Sequence, residues 1–338
     1  MIKSLLIHLS SNMWSDCAPE SLKHPDEAKL RARHLQHYDR MIRCAATAGW
    51  SDTLKTKDEV WRRVTAHFAE CGGNMLVIDL GDGVRYHSHP EIAVGGAWSV
   101  RKLKNELARC RDLGLEVIPK LNFSSCHDAW MHDYSRMLST APYYRFCRDL
   151  ISEIAEIFDG PRFFHIGMDE ENYENQDNEG HLYRVVRAGS LWWDDLAFYC
   201  DEVRRAAARP WMWSDKYWSC QASGSEAEFK ANVPLDVLIS NWYYREVFHF
   251  TEDTPEFLKA LKFQVDAYAG LDKLGYDQIP TGSNWAMDEN YAGTVKYCTE
   301  TISPDHLLGF MTAPWYSNTT LAEPYLLEAC DLVKAAHR

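Results

Sequence analysis

The sequence lacks any run of eighteen apolar residues, so no segment has the length and apolarity of a membrane-spanning helix. Its opening stretch, residues 1–7, has an apolar core too short for a signal peptide. We therefore expect a cytoplasmic protein without a membrane partner, unless a leader has been trimmed from the chain. Oligomeric state is not encoded in any pattern that we identify.

Positive charge is scarce: 36 Lys and Arg face 49 Asp and Glu, which gives a net charge of -13. Because no basic stripe is available to neutralise phosphates, nucleic acid is excluded as a partner. Gly-x-Gly-x-x-Gly and phosphate-loop patterns are also missing, so no nucleotide cofactor is indicated. A Gly-x-Ser-x-Gly element is absent too, although a Ser-His-Asp arrangement built from distant segments stays open.

The ten cysteines are scattered and form no Cys-x-x-Cys pair, so we expect reduced thiols rather than a disulfide framework or a zinc motif. His87 and His89 lie near Asp82, but no further ligand follows at a fixed spacing. A solvated loop is the favoured interpretation of these histidines. The expectation is therefore no metal and no cofactor.

What the sequence does contain is a regular alternation of apolar β-type segments with amphipathic helical ones. Near-continuous apolar strands are typical of a parallel sheet covered on both faces by helices. The pattern predicts an α/β protein, a (β/α)8 TIM barrel in one domain over residues 1–338. The predicted strands cover residues 4–10, 74–80, 115–123, 162–171, 210–215, 237–242, 276–284 and 307–315, and the main predicted helices cover 26–48, 56–71, 99–113, 142–158, 191–208 and 321–336.

The fourth of these strands ends in two adjacent acids, Asp169 and Glu170. Neighbouring carboxylates at a strand end can have their pKa values pushed apart, so that one donates a proton while the other stays ionised. A charged strand end solvated in a loop is the alternative.

The segment His165-Ile166-Gly167-Met168-Asp169-Glu170 resembles the His-x-Gly-x-Asp-Glu signature of glycoside hydrolase family 20, the β-N-acetylhexosaminidases. Met168 stands where the usual signature has a second glycine. The resemblance extends to the Trp residues that the family places on its fifth, sixth and eighth strands, which are matched here by Trp213, Trp242 and Trp315. Because the barrel begins near residue 4, the small α+β domain that many members carry in front is expected to be absent.

The resemblance implies that Glu170 is the general acid/base and that Asp169 orients the 2-acetamido group of the substrate. The acetamide oxygen would then attack the anomeric carbon and form an oxazolinium intermediate. His165 would be a supporting residue, and the expected partner is a carbohydrate with a terminal 2-acetamido sugar. Candidate substrate-binding residues at strand ends are Asp82, Asn122, Trp213, Asp215, Trp242 and Trp315, with Tyr276 or Tyr291 as donor to the acetamide oxygen.

The chain also departs from the family pattern at positions that read sugar hydroxyls. The first-strand Arg is missing around residues 8–12, Lys120 and Asn122 replace the third-strand acids, and Ser317 replaces a Glu after the eighth strand. β-N-Acetylgalactosaminides are therefore as credible as β-N-acetylglucosaminides. A catalytically silent barrel that binds an amino sugar, or a glycosidase of other specificity, remains the alternative function.

Overall fold

The computed structural model describes residues 1–13, 49–171 and 185–337. The predicted helix over 26–48 lies outside these ranges. Eight parallel strands form one sheet: β1 Ile2–His8, β2 Met75–Asp79, β3 Glu116–Lys120, β4 Phe163–His165, β5 Arg209–Trp213, β6 Leu238–Ser240, β7 Thr281–Gly282 and β8 Gly309–Thr312.

The spatial order of the strands is β6-β5-β4-β3-β2-β1-β8-β7, so each strand lies beside its neighbours in the chain. The sheet closes between its two end strands, β6 and β7. There Trp242 and Thr281 form an isolated parallel β-bridge, and the amide of Thr281 donates to the carbonyl of Asn241 at 2.8 Å. The predicted (β/α)8 barrel is therefore confirmed. β7 is shorter than the predicted segment 276–284, because Pro280 has no amide hydrogen for the ladder.

Helices cover the outside of the sheet. They are α1 Asp58–Glu70, α2 Val100–Asp112, α3 Ala141–Ile157, α4 Ser190–Arg205, α5 Asp215–Ala222, α6 Glu226–Asn232, α7 Glu256–Lys259, α8 Lys262–Leu274, α9 Asn290–Thr301 and α10 Glu323–Ala336. Ser99 caps α2 by accepting from the amide of Lys102 at 3.2 Å, a common way to satisfy a helix N-terminus. None of the described helices combines the length and apolarity needed to cross a bilayer.

Successive strand residues point alternately into the barrel and outward to the helices. In β2, for example, Met75 and Val77 belong to the inner core, whereas Leu76 and Ile78 belong to the outer core. Both faces of the strand are therefore apolar and buried. This explains why β2 appears in the sequence as an unbroken apolar run.

One layer of the barrel interior is polar. Parallel pairing places His8 beside Asp79, Asp79 beside Lys120, and Lys120 beside His165, so these four side chains form a row across β1 to β4. Lys120 Nζ donates to Asp79, and His8 Nδ1 lies 3.4 Å from Asp79 Oδ2. The row lies at the carboxyl ends of the strands, the end at which barrel enzymes keep their active sites.

Candidate active site

The chain turns sharply as it leaves β4. Gly167, Met168 and Glu170 have φ values of 73°, 72° and 54°, in the left-handed region that side chains disfavour. A Cβ at Gly167 would lie 2.0 Å from Asn122 Oδ1, so this position requires glycine. Met168 stands where the family 20 signature has a second glycine. Its φ is close to that of Gly167, and this conformation strains a residue with a side chain.

Asp169 is buried and held from β3. The Asn122 side-chain amide donates to Asp169 Oδ1 at 2.7 Å, and Asn122 Oδ1 accepts from the amide of Met168 at 3.2 Å. Burial raises the pKa of Asp169, while His127 and Lys120 oppose that rise. Asn122 was predicted as a sugar contact, and in the structure it holds Asp169 in place.

Glu170 is the more accessible acid, with 41% of its side chain exposed. His127 Nε2 lies 3.0 Å from Glu170 Oε2 and 3.4 Å from Asp169 Oδ2. Burial alone would lower the pKa of His127, but the two carboxyl groups outweigh it and raise the pKa. Sequence reasoning missed His127, although it follows the third strand at the same rim as the acids.

Asp215 supports both Glu170 and an aromatic wall. Its Oδ1 accepts from the amide of Glu170 at 3.0 Å, and its Oδ2 accepts from the indole of Trp242 at 3.0 Å. Burial, together with Asp169 and Glu170, raises the pKa of Asp215 well above its ordinary value. The mutual repulsion of these three carboxyl groups disfavours the state in which all of them are ionised.

A buried ion pair anchors the end of the acid-bearing segment. The Arg187 guanidinium donates to Glu171 Oε1 at 2.8 Å and to the carbonyl of Phe123 at 2.8 Å. Arg187 also reaches Asp195 of α4 at 2.9 Å. Because this pair joins β3, β4 and α4, it fixes the backbone immediately after Glu170.

Glu170, Asp215 and Trp242 line a cavity of about 400 Å³, which is within the range of about 300–1,000 Å³ usual for small-ligand sites. Trp218 of α5 lines the same cavity and lies edge-on to Trp242 at 4.8 Å. A larger cavity of about 770 Å³ lies around residues 85–105, but its described lining includes no carboxyl group. Acid chemistry therefore points to the smaller cavity.

Of the other two Trp residues predicted to bind substrate, Trp213 is buried and Trp315 is partly buried against the same core. Trp213 is 1% exposed and belongs to the core inside the barrel. Its ring centroid is 5.9 Å from that of Trp315 and 4.7 Å from that of His165. The rings of Trp213 and Trp315 are not part of the described cavity lining, whereas Trp242 lines the cavity itself.

His165 is fully buried below the acid pair. Its Nδ1 accepts from the amide of Gly167 at 3.0 Å, which places the proton on Nε2. Burial, reinforced by Lys120, lowers the pKa of His165 well below its ordinary value. The neutral imidazole thus holds the turn after β4 through its hydrogen bond with Gly167, and its supporting role in catalysis stays a prediction.

Two predicted site residues are placed elsewhere. Tyr276 lies at the opposite end of its strand, where its hydroxyl donates to the carbonyl of Val233 at 2.6 Å, so its assignment as a substrate donor is corrected. Asp82 is fully buried and accepts from the Asn12 side-chain amide at 2.9 Å and from His132 Nε2 at 3.1 Å. Its oxygens serve a separate polar cluster next to β1.

A different tyrosine faces the acids. Tyr244 stacks on Trp242 with ring centroids 4.9 Å apart. Burial raises the pKa of its hydroxyl well above the ordinary value, with Trp315 opposing and Asp169 reinforcing the rise. Its position two residues after the predicted sixth-strand Trp242 was the signal that could have identified it.

Comparisons with known proteins give structural matches only: no family model and no curated protein matches the sequence. A β-N-acetylhexosaminidase from Bacteroides fragilis aligns with TM-score 0.58 and 12% identity over 98% of this chain and 65% of its own. The exo β-N-acetylglucosaminidase of Vibrio harveyi aligns with TM-score 0.56 and 15% identity over 84% of this chain and 53% of its own.

A β-N-acetylhexosaminidase from Streptomyces coelicolor A3(2) aligns with TM-score 0.55 and 15% identity over 83% of this chain and 62% of its own. The chain thus spans between about half and two thirds of the length of these three enzymes. The Vibrio and Streptomyces enzymes are described as members of glycoside hydrolase family 20. This chain therefore has the (β/α)8 fold of the family 20 catalytic barrel, as its His-x-Gly-x-Asp-Glu segment predicted.

Proposed function

We propose that this chain is an exo-acting glycoside hydrolase that removes terminal β-linked N-acetylhexosamine with retention of configuration. The observation that carries the proposal is the pairing of a buried acid, Asp169, with a half-exposed acid, Glu170, which lines an aromatic cavity. Glu170 is proposed to exchange a proton with the substrate, and Asp169 is proposed to stabilise charge.

The nucleophile is proposed to come from the substrate. Both oxygens of Asp215 already accept hydrogen bonds, from the Glu170 amide and the Trp242 indole, which makes this carboxylate a poor nucleophile. The acetamide carbonyl oxygen attacks the anomeric carbon while Glu170 protonates the departing glycosidic oxygen. The C–O bond to the leaving group breaks with its electron pair, and an oxazolinium ion forms.

The second step reverses the role of Glu170. Glu170, now ionised, takes a proton from water, and that water opens the oxazolinium ring at the anomeric carbon to release the sugar. Asp169 accepts from the acetamide N–H and offsets the positive charge of the ring. His127 lies within 3.4 Å of Asp169 Oδ2, and its positive charge favours the ionised form of Asp169 that this role requires.

We propose both N-acetylglucosamine and N-acetylgalactosamine as substrates, because the positions that read hydroxyl configuration in the family are changed here. Ser317, in place of the family's Glu, is buried, and its backbone forms an isolated parallel β-bridge with His8 of β1. The second candidate function, a silent amino-sugar-binding barrel, is favoured by these same changes. The Asp169–Glu170 pair favours the enzyme, since a binding protein needs no acid beside the glycosidic bond.

Replacing Glu170 by Gln tests the proposal, with aryl β-N-acetylglucosaminide and β-N-acetylgalactosaminide as substrates. Because an amide keeps the shape but cannot protonate the leaving oxygen, we expect kcat to fall by about 10²–10⁴. The loss should be largest for poor leaving groups. Glu256→Gln, which changes an exposed acid of α7, is the matched control and should retain activity. A wild-type chain that binds these sugars without cleaving them would establish the silent alternative.

A further inference from the structure

Three metal-ligating side chains meet on the outer helical layer, far along the chain from the acid pair. His67 and Cys71 lie one helical turn apart at the end of α1, and Asp331 faces them from α10. The distances are 3.6 Å from Cys71 Sγ to His67 Nε2, 3.6 Å from Cys71 Sγ to Asp331 Oδ1, and 2.9 Å from His67 Nε2 to Asp331 Oδ1. A nitrogen, a sulfur and an oxygen donor thus converge on one point.

These separations match those of ligands around a tetrahedral zinc ion. Zinc bonds of about 2.3 Å to sulfur and about 2.0 Å to nitrogen and oxygen place the sulfur about 3.5 Å from each other ligand, and the nitrogen about 3.3 Å from the oxygen. The observed sulfur distances agree closely, and only the nitrogen-oxygen pair must open slightly. Glu70 Oε2 lies 3.7 Å from His67 Nδ1, on the side where an outer carboxylate commonly orients a ligating imidazole.

A catalytic Cys-His-Asp triad is excluded by the same geometry. In such a triad the base uses one nitrogen for the thiol and the other for the carboxylate, whereas here both Cys71 and Asp331 approach His67 Nε2. Burial, reinforced by Asp331, raises the pKa of the Cys71 thiol, which is the opposite of nucleophile activation.

We propose that His67, Cys71 and Asp331 bind one soft divalent cation of the zinc class, with water as the fourth ligand. The side chains of His67 and Asp331 are 32% and 63% exposed, so an ion can enter from solvent. The ion would join α1, which follows the first strand, to α10, the last helix. Arg63 and Glu323 already pair across these two helices, at 2.8 Å, so the metal would reinforce a seam between distant parts of the chain.

The test uses the full chain after chelator treatment, titrated with CdCl₂ and with ZnCl₂. Cadmium should produce an ultraviolet thiolate charge-transfer band that saturates at one equivalent, and ZnCl₂ should raise Tm because it binds the folded state. Cys71→Ser should abolish the band. His67→Gln and Asp331→Asn should each weaken zinc binding at least about tenfold, since even outer-shell partners are worth that much.

Two control variants distinguish binding at this site from binding by other cysteine or carboxylate groups of the chain. Cys220→Ser changes a buried cysteine of α5 and should keep the band and the affinity. His127→Gln alters the acid site, where His127, Asp169 and Glu170 form another close group among the described residues, and should also keep the band. A band that survives Cys71→Ser, zinc affinity unchanged in both His67→Gln and Asp331→Asn, or no saturation at one equivalent would overturn the proposal.

Discussion

At the scale of single residues, the ionisation of the site's carboxyl groups depends on a small number of positively charged side chains. His127 contacts Glu170 and Asp169, while Lys120 pairs with Asp79 and acts on Asp169 from below. Since burial raises the pKa of Asp169, these cations determine how much of that acid is ionised at a given pH.

We predict that His127→Gln moves the acid limb of the kcat/KM profile to higher pH. The amide can still donate to Glu170, but it removes the charge that lowers the pKa of Asp169, so that pKa rises. The proposed mechanism needs ionised Asp169, and activity is lost as pH falls through its pKa, so a higher pKa means an earlier loss on acidification. A limb that stays in place or moves to lower pH, measured with an aryl glycoside, would contradict this role.

At the scale of elements, the turn after β4 carries the acids because glycine lets β3 and β4 approach closely. Asn122 of the β3 end occupies the space that a Cβ on Gly167 would need. The same Asn122 holds Asp169. Backbone conformation and acid placement are therefore coupled at this point.

Gly167→Ala should lower kcat by about 10²-fold, since displacing Asn122 moves Asp169 and small misplacements of a positioned group have effects of that size. Gly224→Ala is a matched control, because Gly224 has φ 70° but nothing within 4 Å of the added Cβ. That control should lose only about 1–2 kcal/mol of stability from the left-handed backbone and keep its kcat. Equal effects of the two substitutions on kcat would sink the positional argument.

The polar row inside the barrel, at the strand ends, leads to a prediction about stability. Lys120 and His8 lower the pKa of Asp79 to about 2 against the effect of burial. This depressed pKa corresponds to about 2 kcal/mol of stability, present above about pH 4 and lost as pH falls through about 2. Asp79→Asn leaves Lys120 buried without its counter-charge and should destabilise by about 3–5 kcal/mol.

The double variant Asp79→Asn/Lys120→Met removes both charges and should recover much of that stability. Urea denaturation at neutral pH measures both changes. If the double variant is no more stable than Asp79→Asn, the unpaired lysine is not the cause of the loss.

At the scale of the whole molecule, the barrel could be predicted because its strands are buried on both faces. β2 and β8 are apolar runs whose ends lie within a few residues of the predicted bounds. The bounds of β7 were predicted poorly because its two residues, Thr281 and Gly282, have no large apolar side chain and follow Pro280. A strand this short is fixed by its neighbours in the closed sheet rather than by its own pattern.

The site was predictable where adjacent residues carry the chemistry, or where a residue ends a predicted strand, as Asn122, Asp215 and Trp242 do. Asp169 and Glu170 are neighbours in sequence, so their pairing was visible. His127, Tyr244 and the true direction of Tyr276 depend on which way each side chain leaves the backbone, which packing decides. The ligands His67, Cys71 and Asp331 come from the two ends of the chain, so no spacing motif could bring them together.

The most direct test of the proposed function compares a 2-acetamido aryl β-glycoside with its 2-hydroxy analogue under identical conditions. If the acetamide oxygen is the nucleophile, its orientation supplies about 7 kcal/mol or more of the barrier reduction, and the analogue lacks that group entirely. The account therefore predicts steady turnover of the 2-acetamido substrate and no measurable turnover of the 2-hydroxy one. Comparable rates on both would contradict substrate assistance and make Asp215 the carboxylate to test as nucleophile.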